Sequence, residues 1–116
     1  MDKELVEMLA KNIEPYINKP IALRHHYSGV WLGYLRGVSP FGPHMLQIEG
    51  RRVWSWSGGR LEFSELCEKG VAGEDRLGTW TVQHIPIFPG DGLVELTTQI
   101  TDEVIQEVEK WSKRNG

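Results

Sequence analysis

Arg51-Arg52-Val53-Trp54-Ser55-Trp56-Ser57-Gly58-Gly59-Arg60 brings arginines, two indoles and a flexible turn into one short run. On a strand, side chains alternate, so Arg52, Trp54 and Trp56 share one face while Arg51, Val53, Ser55 and Ser57 take the other. A guanidinium beside two indoles can stack a flat ring, and arginine's planar fork suits phosphate or carboxylate. The Ser57-Gly58-Gly59 turn offers backbone amides to an anion, with Arg60 behind it and the start of a helix adding a favourable dipole. A nucleotide needs such groups: aromatic faces for its base, arginine and amides for its phosphate. The competing reading makes Trp54 and Trp56 core residues packed against a helix, with the arginines solvated.

A second constellation is Arg24-His25-His26-Tyr27-Ser28. Adjacent histidines on a strand face opposite sides, so His25 and His26 do not readily share one metal. His44 and His84 add no cysteine or carboxylate at ligand spacing, so no metal and no cofactor are expected. The plain reading has one histidine outward and one hydrogen-bonded inward. The functional reading presents Arg24, His26 and Tyr27 to a ligand beside the other arginines.

Catalytic patterns are missing: there is no GxSxG elbow, no phosphate loop, no HExxH and no nearby cysteine-histidine pair. A Ser-His or Glu-His pair assembled only in three dimensions is left open. Cys67 reads as a small buried apolar residue, and with one cysteine there is no internal disulfide. No enzyme is expected. The candidate ligand-binding residues are therefore Arg24, His26, Tyr27, Arg51, Arg52, Trp54, Trp56, Ser57, Gly58 and Arg60.

Charge supports a compact anionic partner. The chain of 116 residues carries a net charge of -3, yet residues 20 to 60 hold five arginines against one acid, Glu49. Overall acidity argues against non-specific duplex binding, which depends on neutralising many phosphates. The length fits a single domain over 1–116, no apolar run approaches the ~20 residues of a membrane span, and the acidic start does not resemble a secretory signal. A soluble, cytoplasmic protein is expected.

These residues need elements to position them. Leu5, Leu9, Ile13 and Tyr16 recur at helical spacing, which predicts an N-terminal helix within residues 1–19, ended or bent by Pro15. From Ile21 the period becomes two, giving a strand to Tyr27, a Ser28-Gly29 turn and a partner strand from Val30 to Val38. His44 to Glu49 and Arg51 to Trp56 are expected as a third and fourth strand around Gly50. A short helix over 61–69 follows, closed by Gly70. Strands are then predicted from Thr79 to Ile87 and from Leu93 to Thr98. Thr101 caps a C-terminal helix over 101–114, with Ile100 and Ile105 as a hydrophobic staple. Its stripe of Val104, Ile105, Val108 and Trp111 is read as surface that a symmetric partner could cover. The fold class is α+β: an antiparallel sheet of about five or six strands over 20–98, a helix at each end and a short helix after the fourth strand.

Arg24 to Leu35, with Tyr27-Ser28, Gly33 and Leu35, and Arg51 to Val71, with the run from Arg51 to Gly58 followed by Leu61, Leu66 and Gly70-Val71, resemble a small phage and prophage domain family of uncharacterised function. Its members carry a run of the type RRIWYWSGA. The likeness covers roughly residues 24 to 98, and this chain departs from it at Ser55 and Gly59. The resemblance implies a viral origin and a small non-catalytic protein, and it supplies no active site to transfer.

The function expected is a phage-type, non-enzymatic binding protein, a homo-oligomer that sequesters a nucleotide-type small molecule. In a phage setting that is an anti-defence sponge for a cyclic nucleotide or related immune signal, acting in the host cytoplasm. Two alternatives stand beside it. One is a protein-interaction module that inhibits a host or phage partner, with the tryptophans as anchors. The other is single-stranded nucleic-acid binding through the same arginine and aromatic surface, marked by steep salt dependence.

Overall fold

The computed structural model describes residues 13–25, 28–41, 45–55, 63–71, 73–86 and 94–115. Five strands form one antiparallel sheet: β1 (Pro20–His25), β2 (Gly29–Val38), β3 (Met45–Val53), β4 (Leu77–Pro86) and β5 (Val94–Thr97). Their order across the sheet is β4-β3-β2-β1-β5, so consecutive strands are neighbours up to β4 and the chain then returns to place β5 beside β1. Among the described residues two helices accompany the sheet, α1 (Phe63–Lys69) and α2 (Asp102–Asn115). Among the described residues no helix is long and apolar enough to cross a membrane. The architecture is α+β, with five strands among the described residues.

Alternation along β1 and β2 sorts the core into two clusters. Ala22, Leu32 and Val53 face the helices and pack with Leu66 and Cys67 of α1 and Val104, Val108 and Trp111 of α2. Ile21, Leu23, Trp31, Leu35, Leu46, Ile48 and Ile85 point to the opposite face and pack with Ile13. Both faces are therefore buried, and Trp31 and Leu32 are both interior although they point opposite ways. Each fully buried aliphatic side chain contributes about 1.5–3 kcal/mol through removal from water.

The expected break at Gly50 is corrected: the chain runs straight through it as β3, and the two predicted strands are one. Gly50 lies directly opposite Gly33 of β2. A Cβ on Gly33 would collide with the Glu49 carbonyl and stand 2.5 Å from Gly50 Cα, while one on Gly50 would collide with the Leu32 carbonyl. Glycine here marks a close approach of two strands rather than a turn. In consequence α1 follows the third strand, not a fourth. Its described part ends as expected, with the Gly70 N–H donating to the Leu66 carbonyl at 2.9 Å.

The expected N-terminal helix falls mostly outside the described residues. Residues 1–12 lie outside the description, and Pro15 sits in a single 3₁₀ turn, Glu14–Tyr16. Asn18 then adopts a left-handed φ of 63° and its N–H donates to the Leu35 carbonyl at 2.6 Å, which delivers the chain into β1. At the other end, the Thr101 hydroxyl lies 3.5 Å from the Val104 N–H in the capping position and itself donates to the Glu68 carbonyl at 2.9 Å. One threonine thereby starts α2 and ties it to α1. The Trp111 stripe is covered by the chain's own sheet, with Trp111 itself 3 % exposed, so it is not the surface left for a symmetric partner.

Candidate ligand-binding surface

Arg52 is the last residue of β3 on the face away from α2, paired across the ladder with Trp31. Val53 ends the strand, and Trp54 is held by its N–H donating to the Arg76 carbonyl at 2.8 Å. The period of two still applies across this end, and the Arg52 guanidinium lies 4.5 Å from the centroid of the Trp54 ring. Trp54 is 57 % exposed, which excludes the core reading for this residue. A large indole with an arginine against it thus stands at the surface.

The hairpin between β1 and β2 forms the wall behind this pair. Its residue Ser28 is clamped twice: its N–H donates to His25 Nδ1 at 3.0 Å, and its carbonyl accepts from Trp31 Nε1 at 2.9 Å. His25 is 2 % exposed and points inward. Gly29 follows with φ +89°, and a Cβ there would stand 2.8 Å from Arg52 Nε. Glycine at this position serves both the turn and the seat of the guanidinium.

Arg24 and Arg51 do not join Arg52 and Trp54, because they are on the helix-facing side of the sheet. Arg24 lies 5.5 Å from the centroid of the Phe63 ring on α1. Arg51 donates from Nε to the Gly78 carbonyl and from Nη2 to Glu74 Oε2, both at 2.7 Å, and lies 5.1 Å from the centroid of the Trp111 ring. The alternation of adjacent arginines was legible in the sequence; the groups awaiting Arg51 on the far side come from β4, α2 and a distant turn. Of the remaining candidates, His26, Tyr27, Trp56, Ser57, Gly58 and Arg60 lie outside the described residues.

One polar pair assembled only by the fold is Ser39 with His84, whose Oγ and Nδ1 are 2.8 Å apart. Ser39 Oγ also accepts the Phe41 N–H at 3.0 Å, and the side chain is 5 % exposed overall. The Phe41 ring stands edge-on to His84 at 4.7 Å. This hydroxyl braces the turn after β2. Cys67 is buried among apolar neighbours of α1 and α2, as its sequence context indicates. Among the described residues no three His, Cys, Asp or Glu side chains are grouped to hold a metal ion.

A family model described as a domain of unknown function, DUF6948, matches residues 18–87. The match begins just before β1, takes in the Arg52–Trp54 surface, and ends after β4. No curated protein and no solved structure matches the chain.

Proposed function

The chain belongs to the DUF6948 family of domains of unknown function, and from its surface geometry we propose that it is a non-enzymatic binding protein for an anionic small molecule carrying a flat ring, of the nucleotide type. One observation carries this reading: Trp54 is 57 % exposed with the Arg52 guanidinium 4.5 Å from its ring centroid. A ligand ring stacking on the indole removes apolar surface from water, and the same guanidinium is at hand for an attached phosphate. The likeness to phage and prophage domains suggests a setting, in which the protein sequesters a nucleotide signal of the host's defences in the host cytoplasm.

The test is native mass spectrometry after mixing with cyclic mono- and dinucleotides and ADP-ribose derivatives, run with Arg52→Ala and Trp54→Ala. Stacking on an aromatic contributes about 1–3 kcal/mol per base, so each variant is expected to weaken the adduct about tenfold or more. The spectrum also reports the oligomeric state. The absence of any adduct from a folded protein, or an adduct unchanged in both variants, overturns the proposal.

A second reading rests on the same exposure. Trp54 also has the chemistry of an interface anchor for a partner protein, since tryptophan and arginine are enriched among the residues that dominate binding. A nucleotide-insensitive pull-down of one stoichiometric partner, lost in Trp54→Ala, would select it.

A further inference from the structure

On the helix side of the sheet, a cleft of about 290 Å³ opens between β3, β4 and the last turn of α2, lined by Arg51, Glu74, Thr79, Trp80, Trp111 and Arg114. Its fixed part is Arg51. The side chain is 13 % exposed, held by the Gly78 carbonyl and packed over Trp111, with Nη2 directed at Glu74. Arg114, one helical turn beyond Trp111, places Nη2 3.9 Å from Glu74 Oε1. One carboxylate therefore spans two guanidiniums, through Oε2 to Arg51 and through Oε1 to Arg114.

The two sides of this cluster differ in exposure and in charge. Glu74 comes from an exposed single 3₁₀ turn, Glu74–Arg76, that follows Gly73, and its side chain is 66 % exposed. An ion pair of such exposure stabilises little, so its carboxylate is displaced at little cost. Arg51 stays in place through its bond to β4. A single negative charge leaves the pair of arginines with one positive charge in excess, whereas a phosphate monoester carries close to two negative charges at neutral pH and accepts hydrogen bonds on three oxygens.

We propose that this cleft is an anion site for a small phosphomonoester, whose phosphate replaces the Glu74 carboxylate between Arg51 and Arg114 while its organic group lies against Trp80 and Thr79. Glu74 is then a built-in competitor that occupies the site in the free protein. The hydrogen bond from Arg51 holds the Glu74 carboxyl below the ordinary glutamate range, aided by attraction to Arg51 and Arg114, and so the competitor is anionic at neutral pH. The site is independent of Arg52 and Trp54, which lie on the other face of the sheet.

The test titrates inorganic phosphate, phenyl phosphate and a nucleoside 5′-monophosphate at constant ionic strength, reading tryptophan fluorescence and the Arg51 Nε–Hε NMR signal. Saturable binding is expected, about fivefold tighter in Glu74→Gln and at least fivefold weaker in Arg114→Ala, both exposed positions whose substitution leaves the core intact. Ranking among the three probes shows whether the organic group contributes. Arg52→Ala and Trp54→Ala are expected to leave the affinity for inorganic phosphate, which has no ring to stack on Trp54, unchanged when read at the Arg51 Nε–Hε signal, which separates this site from the surface above. No saturable response in the wild type and Glu74→Gln, or an affinity insensitive to both Glu74→Gln and Arg114→Ala, overturns it.

Discussion

Tyr34 on β2 shows how single residues under α2 are set by their surroundings. Its ring meets Trp80 edge-on at 6.1 Å between centroids, and the Arg36 guanidinium lies 4.6 Å from the ring centroid. Burial raises the phenol above the ordinary tyrosine value and the Glu109 carboxylate raises it further, while Arg36 and a hydrogen bond with Ser112 act the other way. A raised folded-state value means that the native protein keeps a proton the unfolded chain releases. The resulting stability is fully present below the unfolded tyrosine pKa of about 10 and is lost as pH rises through the higher folded value. Tyr34→Phe is therefore expected to flatten the decline of the urea midpoint above about pH 10, with a cost near neutrality of about 1 kcal/mol for the lost hydrogen bond. An unchanged alkaline decline in the variant would refute this assignment.

At the scale of elements, the pairing of β2 with β3 depends on two glycines facing each other. Glu49, beside Gly50, is tied to Arg36 by an ion pair of 2.7 Å, and Arg36 also donates to Asn18 at 2.9 Å, so the strands are braced where the close approach occurs. A methyl group at Gly50 meets opposing backbone, which cannot rotate away as a side chain can. Gly50→Ala is expected to destabilise by about 3 kcal/mol or to prevent folding, the upper end of overpacking effects. Chemical denaturation gives the value, and a loss below about 0.5 kcal/mol, the range of surface substitutions, would show that the strands separate freely. The hairpin between β1 and β2 is held differently, by His25 and Trp31 gripping Ser28, which makes the wall behind Arg52 a property of buried side chains rather than of turn sequence alone.

For the molecule as a whole, stability rests on a sheet buried on both faces. Leu32 is fully buried on the helix side, whereas Val82 on the edge strand β4 is 43 % exposed. Leu32→Ala is expected to cost about 2–5 kcal/mol, through lost burial and the cavity left behind. Val82→Ala is expected to stay within about 0.5 kcal/mol. Equal effects in thermal or urea unfolding would contradict the two-face core. The same architecture separates the arginines: the sheet stands between Arg51, which faces α2, and Arg52, which faces away, so adjacent residues serve two different surfaces.

Local periodicity determined much of this before tertiary structure entered. The period of two from Ile21 marked β1, the Ser28-Gly29 turn marked its partner β2, and the staple, cap and stripe from Ile100 to Trp111 marked α2, because these patterns are written within a few residues of one another. The juxtaposition of Arg52 with Trp54 was legible for the same reason, as an i, i+2 relation on a strand. What tertiary structure decided was whatever depends on a distant partner. Gly50 read as a turn because glycine permits one, and its role as a passing point required Gly33 opposite it. The exposure of Trp54 depended on the strand ending at Val53 and on the Arg76 carbonyl. Arg51 found Glu74, Gly78, Trp111 and Arg114 across gaps that no local period spans, since charge and shape complementarity between remote segments exist only after the sheet has brought them together.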